Sequence, residues 1–222
     1  MPDAQKPAWD LSELQRKCAA NAQAAHERHA NEAPPVPPRE DCLRVAGLPL
    51  RWHGAKYDLL APDLKAAVDD WLGHFLDYKR AGEGLWLVGP KGVGKTSAFA
   101  VIIDKLCEAM GYHPGEVLSE IRYYRASDLF GDLAQRDDGP AQDIPLLFID
   151  DLGTEYDAAW PMARFAALAD HRYGELLPTF IASNLSPEDL AKQPGWERTV
   201  DRWMETTRAY GQKGDSRREP PR

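Results

Sequence analysis

Long apolar runs are missing from this 222-residue sequence. Runs such as LWLV at 85–88 and IPLLFI at 144–149 are strand-length, far short of the about 20 apolar residues of a membrane-spanning helix. No membrane association is expected. Cysteine is also scarce: Cys18, Cys42 and Cys107 are odd in number and far apart, which argues against a disulfide framework and for a reducing cytoplasm. The opening stretch MPDAQKPAWD is polar and charged and lacks the apolar segment of a secretory signal, so the expected location is cytoplasmic. Positive charge is in short supply as well. With 27 Lys and Arg against 35 Asp and Glu, the net charge is -8, and the field of the whole molecule does not attract nucleic acid. A local basic patch is the remaining route to DNA. From Trp196 to Arg222 seven basic residues face five acidic ones, so the basic residues lean toward the C-terminal end.

What is present is an ordinary globular composition, 43% hydrophobic and 28% charged, on a chain long enough for one sizeable core and an appendage. The segment NEAPPVPPRE divides it. Pro34, Pro35, Pro37 and Pro38 cannot continue a helix and favour an extended spacer, giving a linker over 31–45. Before it, Asp10 and Glu13 have the spacing of a helix-start capping pair, and Leu11, Leu14, Cys18, Ala22 and Ala25 fall near one helical face. Residues 1–30 therefore read as a helical arm too poor in large apolar residues to form a core alone. Over 46–222 helix and strand patterns alternate. Helices are expected at 62–78, 96–110, 126–135, 158–173 and 197–210, and strands at 84–89, 121–124, 144–149 and 178–182. Such alternation implies a mostly parallel sheet covered on both faces.

The most specific motif is GLWLVGPKGVGKTS. Gly89, Pro90, Lys91, Gly92, Val93, Gly94, Lys95 and Thr96 satisfy G-x-x-x-x-G-K-[ST], the phosphate loop, with an apolar strand before it and a helical pattern after it. Glycines let backbone N–H groups turn toward phosphate oxygens, and the helix expected from Thr96 adds the positive end of its dipole, with Ser97 counted among the nucleotide-binding residues. Lys95 is expected on the β and γ phosphates of ATP, and the Thr96 hydroxyl on Mg²⁺. The run IPLLFIDD ends 54 residues beyond Thr96 on two adjacent carboxylates. Isolated buried carboxylates are costly, so each needs a partner. Asp150 is expected beside Mg²⁺ and Asp151 on the attacking water. The strand PTFIASN delivers Asn184, a candidate for sensing the γ-phosphate or holding that water. On the last helix, ERTVDRWMETTR puts Arg198 and Arg202 one turn apart on one face.

Taken in order, these motifs resemble the AAA+ ATPases, specifically the DnaC-type helicase loaders and their IstB-type transposition-helper relatives. The resemblance runs from about Ala46 to Arg218. AGLPLRWHGAKYD is similar to the segment before their ATPase core, YYRASDL to the segment after their second strand, LLFIDDLGTE to their acidic motif, and PTFIASNLSPEDL to their sensor strand. ERTVDR resembles the arginine-finger helix, with Arg202 the better match and Arg198 the alternative. GDSRR resembles a closing Gly-x-Ser-x-Arg, which makes Arg218 the second sensor, although Arg217 stands where tyrosine is common. Trp203 replaces a smaller aliphatic residue.

The resemblance implies a three-layer α/β/α P-loop NTPase with an AAA+ core and a short N-terminal helical arm. It also implies Mg²⁺-dependent ATP hydrolysis, single-stranded DNA binding and homo-oligomers on ATP binding. The arm would hold a DnaB-type replicative helicase. An IstB-type helper of a transposase shares the core and stays open as an alternative. A P-loop small-molecule kinase is more remote, because residues 151–177 contain only Arg164 and Arg172 where a lid needs several arginines. Asp151 is one methylene shorter than the glutamate common at this place, so slow turnover is expected.

Overall fold

The computed structural model describes residues 39–135, 141–153 and 159–211, together with Gln15. The predicted arm over 1–30 apart from Gln15, the prolines of the linker, and Arg217 and Arg218 lie outside the described residues. Immediately after Pro38, α1 (Arg39–Val45) carries Glu40 and Asp41 in its first turn and Arg44 in its last, the charge order that suits a helix dipole. Cys42 and Leu43 are fully buried. The expected linker therefore stops before Arg39, because the last seven residues assigned to it are a helix on the core. Its base is clamped: Arg39 donates to both Asp104 oxygens at 2.7 and 2.9 Å and to the His53 carbonyl at 2.8 Å.

Two 3-10 turns, Leu50–Trp52 and Tyr57–Leu59, lead to α2 (Pro62–Gly73) and α3 (Phe75–Ala81). The single helix expected over 62–78 breaks at His74, which leaves helical geometry (φ -110°, ψ 23°) next to the poor helix former Gly73. Then follow β1 (Gly84–Val88), α4 (Lys95–Ala109), α5 (Pro114–Glu120), β2 (Ile121–Arg125), α6 (Ala126–Gln135), β3 (Leu146–Leu152), α7 (Ala159–Gly174), β4 (Thr179–Ser183), α8 (Pro187–Ala191), α9 (Glu197–Thr206) and β5 (Thr207–Gly211). Helix α8 starts on the Ser186 side chain, whose Oγ accepts the Asp189 N–H at 3.1 Å. The last helix ends four residues earlier than expected. Residues 207–211 instead pair in parallel with β1 from Gly84↔Thr207 to Val88↔Gly211.

All five strands are parallel, in the order β2-β3-β4-β1-β5. The three central strands β1, β3 and β4 are mainly apolar, and their period of two divides their side chains between two cores. Leu85, Leu87, Phe148, Phe180 and Ala182 face α1, α2 and α4, with Phe148 and Phe180 stacked at 4.0 Å and Phe99 edge-on at 5.4 Å. Trp86, Leu147, Ile149 and Ile181 face the other way, onto Phe165 and Trp203. This is the three-layer α/β/α arrangement. The turns after β1, β3 and β4, three neighbours in the sheet, open at one edge, where ligands bind in open parallel sheets. Among the described residues no helix is long and apolar enough to cross a membrane.

Candidate nucleotide site

The loop between β1 and α4 holds Gly92 and Gly94 at φ +89° and +106°, left-handed backbone that favours glycine. Its start is tied to the neighbouring strand, since the Gly89 N–H donates to the Ser183 carbonyl at 3.2 Å. Lys95 opens α4 and is buried. Its Nζ donates to the carbonyls of Gly89 at 2.7 Å and Pro90 at 3.0 Å and to Asn184 Oδ1 at 3.0 Å. The ammonium thus joins the loop to the turn after β4.

Asp150 lies inside β3, 2% exposed. Its Oδ2 accepts the Thr96 hydroxyl at 2.8 Å and the Tyr123 hydroxyl at 2.6 Å, and its Oδ1 accepts the Asp151 N–H at 3.0 Å. Burial pushes this carboxyl above its ordinary pKa, and the hydrogen bonds from Tyr123 and Thr96 oppose the shift. Burial, then the Asp150 charge, drives the Tyr123 phenol far upward, so the hydroxyl is a donor. Asp151 is different. Its φ of +56° and the register shift between β3 and β4 turn it out of the sheet, exposed. The strand runs on to Leu152, locked by the Ser183 hydroxyl donating to the Leu152 carbonyl at 2.8 Å. Two adjacent acids therefore occupy separate environments, one inside the sheet edge and one on a cleft.

That cleft has a volume of about 590 Å³. Residues 91–97 and Asp151 line one side; Arg51, Trp52, residues 54–56, Leu59 and Leu60 line the other. This second wall was quoted in the sequence only as part of a resemblance, and its Trp-and-cation composition (Arg51, Trp52, Lys56) was the available signal. Tyr123 was not anticipated. For a divalent cation, the donors present are a hydroxyl and carboxylates, hard oxygen ligands. Among the described residues no cluster of three or more Asp, Glu, His or Cys forms a closed cage. The donor chemistry of one hydroxyl and two carboxylates suits Mg²⁺, which keeps waters and takes phosphate oxygens beside one or two carboxylates.

Arg202 does not line the cleft. It sits half-buried on α9, 4.7 Å from the Tyr173 ring centroid, with Asp170 at 3.6 Å and Glu205 at 3.9 Å. Arg198 shares Asp170 at 2.6 Å. The two arginines do face the same way, as their spacing predicted. Arg218, expected to join this site, lies outside the described residues.

No protein-family profile matches the chain. Over 114 residues it is 32% identical to the replicative helicase loader DnaI of Bacillus subtilis (strain 168). The match takes in 49% of this chain and 35% of that protein, so the chain spans only about a third of the curated relative. Among solved structures, a DnaI crystal structure superposes with a TM-score of 0.59 at 24% identity, covering 74% of this chain and 94% of that one. The DnaC helicase loader gives 0.60 at 24%, covering 74% and 100%. Domain III of the replication initiation protein DnaA of Thermotoga maritima gives 0.55 at 15%, covering 81% and 69%. In fold this chain is similar to DnaI, the DnaC helicase loader and domain III of DnaA, and over 114 residues it is similar in sequence to the helicase loader DnaI.

Proposed function

We propose that this protein binds ATP with Mg²⁺ and acts as a DnaC-like loader of a DnaB-type replicative helicase onto DNA, with hydrolysis as the switch between holding and release. The observation that carries the nucleotide reading is the convergence of Lys95, Asn184, Thr96 and Asp150 behind a glycine-turned loop, joined by hydrogen bonds from the start of α4 to β3 and to the turn after β4. The loader reading rests on the similarity to DnaI.

In this reading the loop amides of residues 89–94 and the start of α4, including Ser97, bind the phosphates, and the Lys95 ammonium neutralises them. Thr96 and Asp150 hold the cation. When bound, Mg²⁺ supplies charge neutralisation at the phosphate oxygens. Asp151, exposed on the cleft, orients the attacking water, and Asn184 positions it from the far side. Arg202 leaves its contact with Asp170 to complete the site of a neighbouring subunit, so ATP binding assembles a homo-oligomer. Arg218 closes over the nucleotide as second sensor. The arm over 1–30, tethered by the proline segment, grips the helicase while basic residues toward the C-terminal end meet single-stranded DNA. The protein works in the cytoplasm.

The test combines nucleotide binding and capture of a purified DnaB-type helicase. Wild type is expected to bind a fluorescent ATP analogue and retain the helicase. Lys95→Ala is expected to lose nucleotide binding by at least roughly a hundredfold, the loss of a charge-assisted contact at a buried site. Normal ATP hydrolysis by that variant would falsify the phosphate-loop assignment. Retention of a transposase in place of the helicase replaces the loader reading with the IstB-type one.

A further inference from the structure

We propose that Tyr123 is a positioning residue for the cation site, holding the Asp150 carboxylate in the orientation in which it meets Mg²⁺. The inference rests on the ATP reading above and assigns a role to the YYR stretch of β2, which that reading leaves unused. Three observations carry it.

First, Asp150 Oδ2 takes two hydroxyl donors, Thr96 at 2.8 Å from α4 and Tyr123 at 2.6 Å from β2. The Asp151 N–H holds the other oxygen at 3.0 Å. With only Thr96 and the amide, the carboxylate is held from its own strand and from the loop helix. Tyr123 adds the third direction, from the neighbouring strand, and so fixes rotation about the Cβ–Cγ bond.

Second, Tyr123 is itself immobilised. It is 4% exposed, and its N–H donates to the Ala46 carbonyl at 2.7 Å. On the same side, a Cβ on Gly47 would come within 2.6 Å of the Tyr123 carbonyl oxygen, so the entering chain lies flush against it. A donor held this way pre-organises its acceptor rather than following it.

Third, the partner set excludes a merely apolar role for the ring. A phenol buried beside a carboxylate costs desolvation unless its proton is donated, and the bond to Asp150 is the one that satisfies it.

The experiment measures the affinity of mant-AMPPNP in EDTA and across a Mg²⁺ titration, for wild type, Tyr123→Phe, Asp150→Asn and the double variant. Phenylalanine keeps the ring, so packing is retained, and thermal unfolding checks the fold of each variant. The readout is the gain in affinity on adding Mg²⁺. Removing the hydroxyl is expected to raise the Mg²⁺ concentration for half-maximal gain roughly tenfold, the scale of one hydrogen bond to a charged group. In the Asp150→Asn background the same change is expected to do nothing further. A purely structural tyrosine weakens binding equally with and without Mg²⁺, in both backgrounds; that result overturns the proposal, as does an unchanged Mg²⁺ midpoint in Tyr123→Phe. If wild type itself shows no Mg²⁺-dependent gain, the ATP reading falls and takes this proposal with it.

Discussion

Replacing Arg172 with methionine tests what holds the two chemistry-bearing strands in place. Arg172 projects from α7 and is 1% exposed. Its Nη1 donates to the carbonyls of Ile144 at 2.7 Å and Ala141 at 3.0 Å, its Nη2 to Pro178 at 2.7 Å, and its Nε to the Thr179 hydroxyl at 2.9 Å. One guanidinium therefore joins the chain entering β3, which carries Asp150, to the chain entering β4, which leads to Asn184. Each bond from a charged donor is worth about 1.5–3 kcal/mol, but the sum is not additive. Two terms reduce it. Burial of the cation costs free energy, which an apolar methionine recovers. The Pro178 carbonyl also keeps a second donor, the Leu147 N–H at 3.3 Å. Against this, the carbonyls of Ala141 and Ile144 are left with fewer partners in a buried place. The net expectation is a loss of about 3–4 kcal/mol. For a domain of this size that corresponds to roughly 10 °C in Tm, read by thermal unfolding with a urea titration as the second probe. Arg172→Lys is expected to do no better, because a point ammonium on a shorter fork cannot span acceptors on both strands. A methionine variant melting within about 1 °C of wild type refutes the reasoning, and so does full rescue by lysine.

Two further expectations follow from the site. Asp151→Glu places a longer acid on the cleft, so ATP turnover is expected to rise; the positive φ at this position suits Asp better than Glu, so stability is expected to fall by about 0.5–1 kcal/mol. Slower turnover in steady-state hydrolysis counts against the water-orienting role. Arg202→Ala loses half-exposed contacts to Asp170, Glu205 and Tyr173, so it is expected to fold and bind ATP but hydrolyse it poorly. Mixing it with Lys95→Ala subunits is expected to restore part of the activity, and no recovery in demonstrably mixed oligomers removes the trans finger.

The parts of this molecule that were legible in the sequence are those set by local pattern. The apolar strands at 84–88, 146–149 and 179–182 are bounded by turn residues, and the phosphate loop has a fixed spacing on either side of Lys95. What was not legible depends on partners far along the chain. The stretch TTRAYG continues the amphipathic spacing of α9, and it becomes β5 only because β1 offers an open parallel edge to pair with. Tyr123 reads as an ordinary strand aromatic until the register Tyr124↔Ile149, Arg125↔Asp150 is known; its reach to a carboxylate 27 residues away follows from that pairing. Residues 39–45 look like the tail of a proline linker, yet Arg39 finds Asp104 across 65 residues and turns the segment into part of the core.

The two aspartates show the same division at single-residue scale. In the proposed reading their adjacency serves a cation site, but strand alternation alone puts neighbouring side chains on opposite faces and would send Asp151 into the second core. The left-handed backbone at Asp151 prevents that by turning the residue out of the ladder at the register shift. Aspartate tolerates this conformation better than glutamate. The shorter acid is thus explained by the backbone it sits on, and slow turnover, if measured, is a consequence of how β3 leaves the sheet.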